Sequence, residues 1–312
     1  MAGPDWPKNA RRQPNNPSVP REDFPTMNRP LASSLAAALL GAAALTGVSA
    51  APAAASGTSA SPSATGVRAT PSFEGTVALS NCSGSLVKMP NSKATDPALV
   101  LSNGHCLETG MPQPGQVVKD QASSRSFTLL KASGANAGTV RATKVAYATM
   151  TDTDVSLYQV GSTYQDIESR YGIKALSLDA ARPTQGRAIT VVSGYWKEKY
   201  GCAIDGFAYR LKEAGWTMKD SIRYTSACRT KGGTSGSPVV DNATGKVIGV
   251  NNTLNEDGAR CTLNNPCEVD QTGQVTVRAG IGYGQQTYLI APCVAEGNKI
   301  DLNRAGCTLP KP

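Results

Sequence analysis

Residues 232–239 read Gly-Gly-Thr-Ser-Gly-Ser-Pro-Val, a glycine-framed serine loop that leads into an apolar strand. Glycine adopts backbone conformations that other residues rarely take, so such a loop can point successive N–H groups at one spot. The only histidine of the chain, His105, stands far upstream within Asn-Gly-His-Cys at 103–106. Serine becomes a useful nucleophile when a neighbouring base takes its proton, and histidine is the usual base near neutral pH. The two motifs therefore predict a single composite site.

An acidic residue between these motifs completes a candidate set. Asp154 opens the alternating run Asp-Val-Ser-Leu-Tyr, which is typical of a strand. Asp152 is an alternative because it lies two residues earlier and would face the same side of a strand. Ser237 is an alternative nucleophile, but Pro238 follows it directly, which favours Ser235.

These residues resemble the trypsin/chymotrypsin-like serine protease family, especially its bacterial secreted branch, over roughly residues 75–290. His105 matches the histidine of the A-A-H-C motif, with Asn-Gly in place of Ala-Ala. Asp154 matches the aspartate of D-[IV]-A-L, and Ser235 matches the serine of G-[DN]-S-G. The order His, Asp, Ser is that of the chymotrypsin-like proteases.

The resemblance implies a serine endopeptidase that works through an acyl-enzyme intermediate. Ser235 would attack the scissile carbonyl, His105 would relay its proton, and Asp154 would hold the imidazole tautomer. The backbone N–H groups of Gly233 and Ser235 would form the oxyanion hole. Two alternatives remain open: a catalytically silent protease-like binding module, and an esterase of the same fold.

Short β-type runs separated by turn residues fill the chain after residue 71, which predicts an all-β protein. The resemblance implies two six-stranded antiparallel β-barrels, chymotrypsin-like, with the active site in the cleft between them. We expect the protease domain over 71–312, with the first barrel at about 71–178 and the second at about 185–300. A short helix is expected near 164–171 and a short C-terminal helix around 287–297.

The first seventy residues predict export rather than a fold. Residues 1–26 are poor in apolar residues and are expected to be a disordered extension or a mis-called start. Residues 27–55 have the arginine, the Ala/Leu-rich run and the small residues of a signal peptide. Residues 56–70 are composed as a linker or short propeptide. We therefore expect a secreted, extracellular protein.

All eight cysteines lie after the predicted signal peptide, which predicts four disulfides in an exported protein. The sequence contains no C-x-x-C pair, so a structural zinc site is not expected. Spacing alone does not fix the connectivity. We expect sequential pairing: Cys82–Cys106, Cys202–Cys228, Cys261–Cys267 and Cys293–Cys307.

The formal net charge of +8 is spread along the chain without a Lys/Arg block, so nucleic acid is not expected as a partner. No cofactor and no metal are expected. The expected partners are protein or peptide substrates, with no membrane association after signal cleavage. We expect a monomer.

By the resemblance, the substrate pocket includes Arg229, Thr230, Asn251 and Thr253. No acidic residue stands where trypsin-type members place one, so selection of Lys or Arg at P1 (the residue whose carbonyl is attacked) is not expected. We expect a small or medium neutral P1 residue, with an acidic P1 residue as the next choice. Residues 193–228 concentrate the aromatic residues, and we interpret them as a long insertion that packs on the second barrel or contributes to substrate binding.

Overall fold

The computed structural model describes residues 71–312, so the predicted leader at 1–70 lies outside the described residues. The described residues form sixteen strands and one α-helix, divided into two halves at about residue 180. The strands of the first half are β1 (Thr76–Ala78), β2 (Ser83–Lys88), β3 (Pro97–Ser102), β4 (Val117–Ala122), β5 (Ser126–Leu130), β6 (Asn136–Thr149), β7 (Val155–Thr163) and β8 (Leu176–Ser177).

The strands of the second half are β9 (Ala188–Ser193), β10 (Glu198–Glu213), β11 (Trp216–Tyr224), β12 (Pro238–Asp241), β13 (Val247–Leu254), β14 (Cys267–Val269), β15 (Val275–Val277) and β16 (Gly282–Gln286). The α-helix α1 (Tyr164–Tyr171) connects β7 to β8.

Each half closes into a six-stranded antiparallel barrel, as the fold class predicts. The first barrel runs β1-β5-β6-β7-β3-β2 and closes through the pairing of β1 with β2. The second runs β11-β16-β13-β12-β9-β10 and closes through the pairing of β10 with β11. Closure removes the unpaired edges that an open sheet would present to other chains.

The three largest apolar clusters show where the core lies. One cluster lies inside the first barrel and includes Leu86, Val100 and Phe127, all fully buried. A second cluster lies where the halves meet and joins residues such as Leu99 with Val247. A third lies inside the second barrel. The alternation of side chains along a strand explains the first two clusters, because adjacent residues of β3 face opposite sides.

Helix α1 has the predicted bounds, and its ends show why it forms there. The Thr163 hydroxyl accepts the N–H of Asp166, and the Asp166 carboxylate accepts the N–H of Thr163, which is a capping box. Gly172 ends the helix in the left-handed region at φ 68°.

The interpretation of residues 193–228 as a long insertion was wrong, because the structure places most of this segment in the second barrel itself. Strands β10 and β11 form a long hairpin and are two of the six strands of the second barrel. The hairpin turn lies at Ala214–Gly215, with Glu213 paired to Trp216. Its aromatic residues fit this structure, because aromatic side chains are enriched in strands.

The C-terminal segment is less helical than expected. Two 3₁₀ turns, Ala291–Cys293 and Glu296–Asn298, stand where a helix was predicted. Pro292 removes a backbone donor, and Gly297 adopts φ 72°, so a regular α-helix cannot continue. The tail then crosses to the first barrel, where the Tyr147 hydroxyl donates to the carbonyl of Pro310 at 3.0 Å.

The four disulfides of the structure have the expected sequential pairing. They join Cys82–Cys106, Cys202–Cys228, Cys261–Cys267 and Cys293–Cys307. No free cysteine remains within residues 71–312. None of the helices described here is long and apolar enough to cross a membrane.

Candidate active site

His105 lies on a short 3₁₀ turn, Gly104–Cys106, that follows β3. Asn103 is extended before this turn, and Gly104 lies so close to the backbone of Thr149 that a Cβ at this position would collide with it. The Cys82–Cys106 disulfide ties this turn to the start of β2. The histidine is therefore held from both sides by covalent and backbone constraints.

Asp154 stands directly before β7 and contacts His105 through both carboxylate oxygens. Its Oδ2 lies 2.6 Å from His105 Nδ1, and its Oδ1 accepts the His105 backbone N–H at 3.1 Å. The carboxylate is buried, whereas the imidazole keeps 19 % of its side-chain surface exposed. The two contacts fix the ring orientation and leave Nε2 directed away from Asp154.

Opposing effects act on the pKa of His105. Burial lowers it, whereas the charge of Asp154, the hydrogen bond to Asp154 and the charge of Glu213 raise it. The net result is a pKa above the ordinary imidazole value of 6.5. The site therefore stabilises a proton on this imidazole, as a general base requires.

Ser235 lies in the loop between β11 and β12. Gly233 and Gly236, on either side of it, have positive φ angles of 85° and 80°. The Ser235 carbonyl accepts the N–H of Ser83 at 2.8 Å, which ties the loop to the first barrel. Within the described residues, the N–H groups of Gly233 and Ser235 have no hydrogen-bond partner. Both N–H groups are therefore available to a ligand.

The Ser235 hydroxyl does not bond to His105. It donates to the backbone carbonyl of Asn252 at 3.0 Å. Even so, His105, Asp154 and Ser235 line a single cavity of about 70 Å³ at the junction of the two barrels. The structure thus brings the three residues to one place and leaves the serine rotamer turned toward β13.

Asn103 joins the two halves of the site and was not assigned a role by the sequence analysis. Its side-chain amide donates to the Asp154 carbonyl at 2.7 Å, and its Oδ1 accepts the N–H of Gly236 at 2.5 Å. The residue is fully buried. Its position next to the histidine was the only sequence signal for this bridge.

Arg125 is a second residue that the sequence did not reveal. Its guanidinium is buried and donates to the Cys106 carbonyl at 2.5 Å and to the Tyr158 hydroxyl at 3.0 Å. It also bonds the side chain of Asn81. Arg125 therefore holds the chain directly after His105, and nothing in its local sequence indicates this.

The two alternatives from the sequence have other environments. Asp152 adopts a positive φ of 60° and pairs with Lys219 at 2.7 Å, away from the histidine. Ser237 is fully buried, and its hydroxyl has no partner within the described residues. Neither side chain lines the cavity that holds His105.

The four residues expected to form the substrate pocket have different surroundings. Arg229 is exposed. Thr230 and Asn251 are buried, and Thr230 Oγ1 and Asn251 Oδ1 have no hydrogen-bond partner in the described part of the chain. Thr253 is half-buried and lines the cavity beside Ser235.

A group of possible metal ligands also lies here. Ligand atoms of Cys82, His105 and Cys106 fall within 4.8 Å of one another. Both sulfur atoms are joined in a disulfide, so neither offers the thiolate that a zinc ion would need. This group is therefore explained by the disulfide beside the histidine.

Comparisons with known proteins identify the family of this chain. The family model of the trypsin-like peptidase domain matches residues 82–250, more than half of the chain. That range contains His105, Asp154 and Ser235. A comparison with curated proteins found no significant match.

Solved structures with a similar fold are distant in sequence. The MamO protease domain from Magnetospirillum magneticum is 14% identical, with a TM-score of 0.43 over 70% of this chain and 95% of that one. The Rv3671c protease from M. tuberculosis in its active form is 17% identical, with a TM-score of 0.41 over 78% and 84%. The serine endoprotease from Yersinia pestis is 11% identical, with a TM-score of 0.42 over 72% and 62%.

The assignment rests on the family model, which spans the histidine turn, the aspartate and the serine loop together. The chain belongs to the family of the trypsin-like peptidase domain.

Proposed function

We propose that this chain is a secreted serine endopeptidase with Ser235 as nucleophile, His105 as general base and Asp154 as the orienting carboxylate. The observation that carries the proposal is the 2.6 Å contact of His105 Nδ1 with Asp154 Oδ2, in a cavity that Ser235 also lines. A carboxylate on Nδ1 leaves Nε2 as the nitrogen that accepts a proton.

The reaction begins with rotation of the Ser235 hydroxyl from Asn252 toward His105. Ser235 Oγ attacks the scissile carbonyl carbon while its proton passes to His105 Nε2. The carbonyl oxygen becomes an oxyanion and accepts the N–H groups of Gly233 and Ser235. His105 then gives the proton to the leaving amine, which departs and leaves the acyl-enzyme. In the second half, water attacks the acyl carbonyl carbon while His105 takes its proton. His105 returns this proton to Ser235 Oγ as the acid product leaves.

The edge of β13 offers a binding surface for an extended peptide. Its residues Val247–Val250 pair with β12, but on that side Asn252–Leu254 have no strand partner within the described residues. This free edge begins at the carbonyl that now accepts the Ser235 hydroxyl. A substrate backbone that adds as a strand there would bring its carbonyl to the nucleophile.

We expect a small or medium neutral residue at P1. Arg229 is exposed, and the unpartnered groups beside the serine loop are neutral: Thr230 Oγ1 and Asn251 Oδ1. A charged P1 side chain would lose its hydration there without gaining an opposite charge. Profiling with a peptide library measures this preference, and strong selection of Lys or Arg at P1 would contradict it.

Export forms part of the proposal. Four disulfides are typical of an oxidising compartment and rare in a reducing cytosol. N-terminal sequencing of protein from the culture medium of an expressing host tests this, since a start after about residue 55 is expected. Retention of full-length protein inside the cells would argue against export.

Fluorophosphonate labelling tests the mechanism directly. We expect the wild type to be labelled and Ser235→Ala and His105→Ala to lose labelling. Ser237→Ala is the matched control, because it removes a hydroxyl with no partner from the same loop. Labelling that persists in Ser235→Ala, or that is lost in Ser237→Ala with the fold intact, would refute the assignment.

One observation favours a second candidate, the silent binding module. The Ser235 hydroxyl is bound to Asn252 rather than to His105, so the serine is not paired with its base in this structure. A folded wild type that resists the fluorophosphonate and leaves casein intact would support this module. Comparison of ester and amide substrates separates the endopeptidase from an esterase of the same fold.

A further inference from the structure

Part of the lining of the cavity that holds Ser235 and His105 is apolar, and we call this part the apolar recess. Three methionines and a tryptophan line it: Met111, Met150, Met218 and Trp216. Met111 is 40% exposed, and on the rim Leu263 is 49% exposed, which is unusual for side chains of this size. Unbranched methionines adapt their shape to an incoming group.

Two glutamates line this cavity: Glu256 is exposed, whereas Glu213 is buried. Glu213, at the end of β10, is only 9% exposed. Its Oε1 accepts the N–H of Asn264 at 2.8 Å. Within residues 71–312, no Lys, Arg or His nitrogen lies within 4.0 Å of this carboxylate. Burial raises the pKa of this carboxyl, the Asn264 N–H, the Thr253 side chain and the charge of His105 lower it, and the charge of Asp154 raises it; the net shift of the pKa is upward.

Among the described residues, the one lysine that lines the cavity is held by other groups. Lys231 Nζ bonds Glu198 at 3.0 Å and lies 4.3 Å from the centre of the Trp196 ring. It is therefore directed away from Glu213. The carboxylate of Glu213 has no cationic partner of its own within residues 71–312, and an isolated buried carboxylate is costly.

We propose that Glu213 is a specificity-determining residue that binds the cationic side chain of a Lys or Arg residue of the substrate. Such a side chain has an apolar stem and a charged end, which matches methionine walls with a carboxylate between them. This inference rests on the proposed peptidase function.

The direction of β13 places this residue before the cleaved bond. The chain runs from Asn252, at the Ser235 hydroxyl, toward Leu254, and both residues line the cavity. Neighbouring strands of this barrel are antiparallel, so a substrate strand added here would run toward Ser235. Glu213 adjoins Thr253, the middle residue of this edge. The basic residue therefore occupies one of the three positions before P1, named P2, P3 and P4.

A set of quenched fluorescent peptides tests the proposal. Each carries the preferred P1 residue and has either lysine or norleucine at P2, P3 or P4. Norleucine keeps the apolar stem and lacks the charge, so the ratio of kcat/KM for the pair isolates the charge contribution. We expect a ratio of at least about 10 at one position, which corresponds to about 1.4 kcal/mol.

Glu213→Gln should bring that ratio close to 1 and still accept the Asn264 N–H. The ratio is unaffected by changes in the chemistry common to both peptides, such as a shift of the His105 pKa. Glu168→Gln, an exposed carboxylate on α1 paired with Lys174, is the matched control and should keep the wild-type ratio. Fluorophosphonate labelling shows that each variant is folded.

The outcomes separate the two proposals. A wild type that is labelled and cleaves peptides with a ratio near 1 at all three positions overturns this inference and leaves the peptidase function standing. A ratio that persists in Glu213→Gln overturns the assignment to Glu213. A folded wild type with neither labelling nor cleavage overturns both proposals.

Discussion

Replacement of Gly236 by alanine tests how the serine loop is positioned. Gly236 follows the nucleophile and has a φ of 80°, in the region that residues with a side chain rarely adopt. A Cβ there would fall inside 3.0 Å of both the Ser83 carbonyl oxygen and Ser102 Oγ. The same Ser83 donates its N–H to the Ser235 carbonyl at 2.8 Å. The loop therefore has to move away from the strand that now holds it.

Two costs add in this variant. The positive φ costs alanine about 1–2 kcal/mol, and overpacking against backbone costs about 1–3 kcal/mol. The free energy of unfolding should therefore fall by about 2–5 kcal/mol. For a domain of this size, a loss of 1 kcal/mol lowers Tm by about 2–4 °C. We expect Tm to fall by roughly 4–20 °C, and a loop shift on the order of 1 Å to slow catalysis about 100-fold.

Thermal unfolding and the second-order rate of fluorophosphonate labelling measure these effects. Gly232→Ala is the matched control for stability, because its φ is not positive and a Cβ added there would meet no atom within 4 Å. Its Tm should stay within about 2 °C of the wild type. A Gly236→Ala protein with wild-type Tm and wild-type labelling would refute the argument that this glycine is required by the contact with Ser83.

The pKa of His105 is raised, and the neutral imidazole is the base. We therefore expect kcat/KM to fall as the pH drops, with the midpoint of the acid limb above pH 6.5. A pH–rate profile with this midpoint at or below 6.5 would contradict the prediction. Asp154→Asn removes the charge that raises this pKa, so the limb should move to lower pH and kcat should fall by about 10⁴. Asn103→Ala removes the amide that donates to the buried Asp154 carbonyl, so the free energy of unfolding measured with urea should fall by about 1–3 kcal/mol. An unchanged free energy of unfolding would show that this bridge does not stabilise the fold. Replacing both Cys82 and Cys106 by serine removes a disulfide with a sequence separation of 24, so the free energy of unfolding should fall by about 3 kcal/mol in the same assay. A negligible fall would contradict this prediction.

The catalytic candidates could be predicted because each of them lies in a short sequence motif that indicates its chemistry. A lone histidine before a cysteine, an aspartate that opens a strand and a serine between glycines each have few alternatives. Helix α1 was predictable for the same reason, since the Thr163 and Asp166 capping box and the Gly172 terminator are local signals. The all-β fold followed from the regular spacing of short apolar runs.

Long-range contacts were not predictable from the sequence. Asn103 meets Gly236 across 133 residues of sequence, and Arg125 reaches the Cys106 carbonyl from the connection between β4 and β5. No local pattern predicts these contacts, because the first depends on how the two barrels pack and the second on how connections within the first barrel meet. The interpretation of residues 193–228 as an insertion was wrong for a related reason, because the pairing of β10 with β11 and their place in the barrel are long-range features.

The sequence by itself therefore determined the fold class, the disulfide-rich character and the three candidate catalytic residues, because these depend on residue type and local spacing. Only the tertiary structure decided that Glu213 lies, among the described residues, unpaired by any cation in an apolar recess beside His105, and that the Ser235 hydroxyl is turned toward Asn252. The physical reason is that charge pairing, burial and rotamer choice depend on the neighbours in space, which are supplied by segments far apart in the chain.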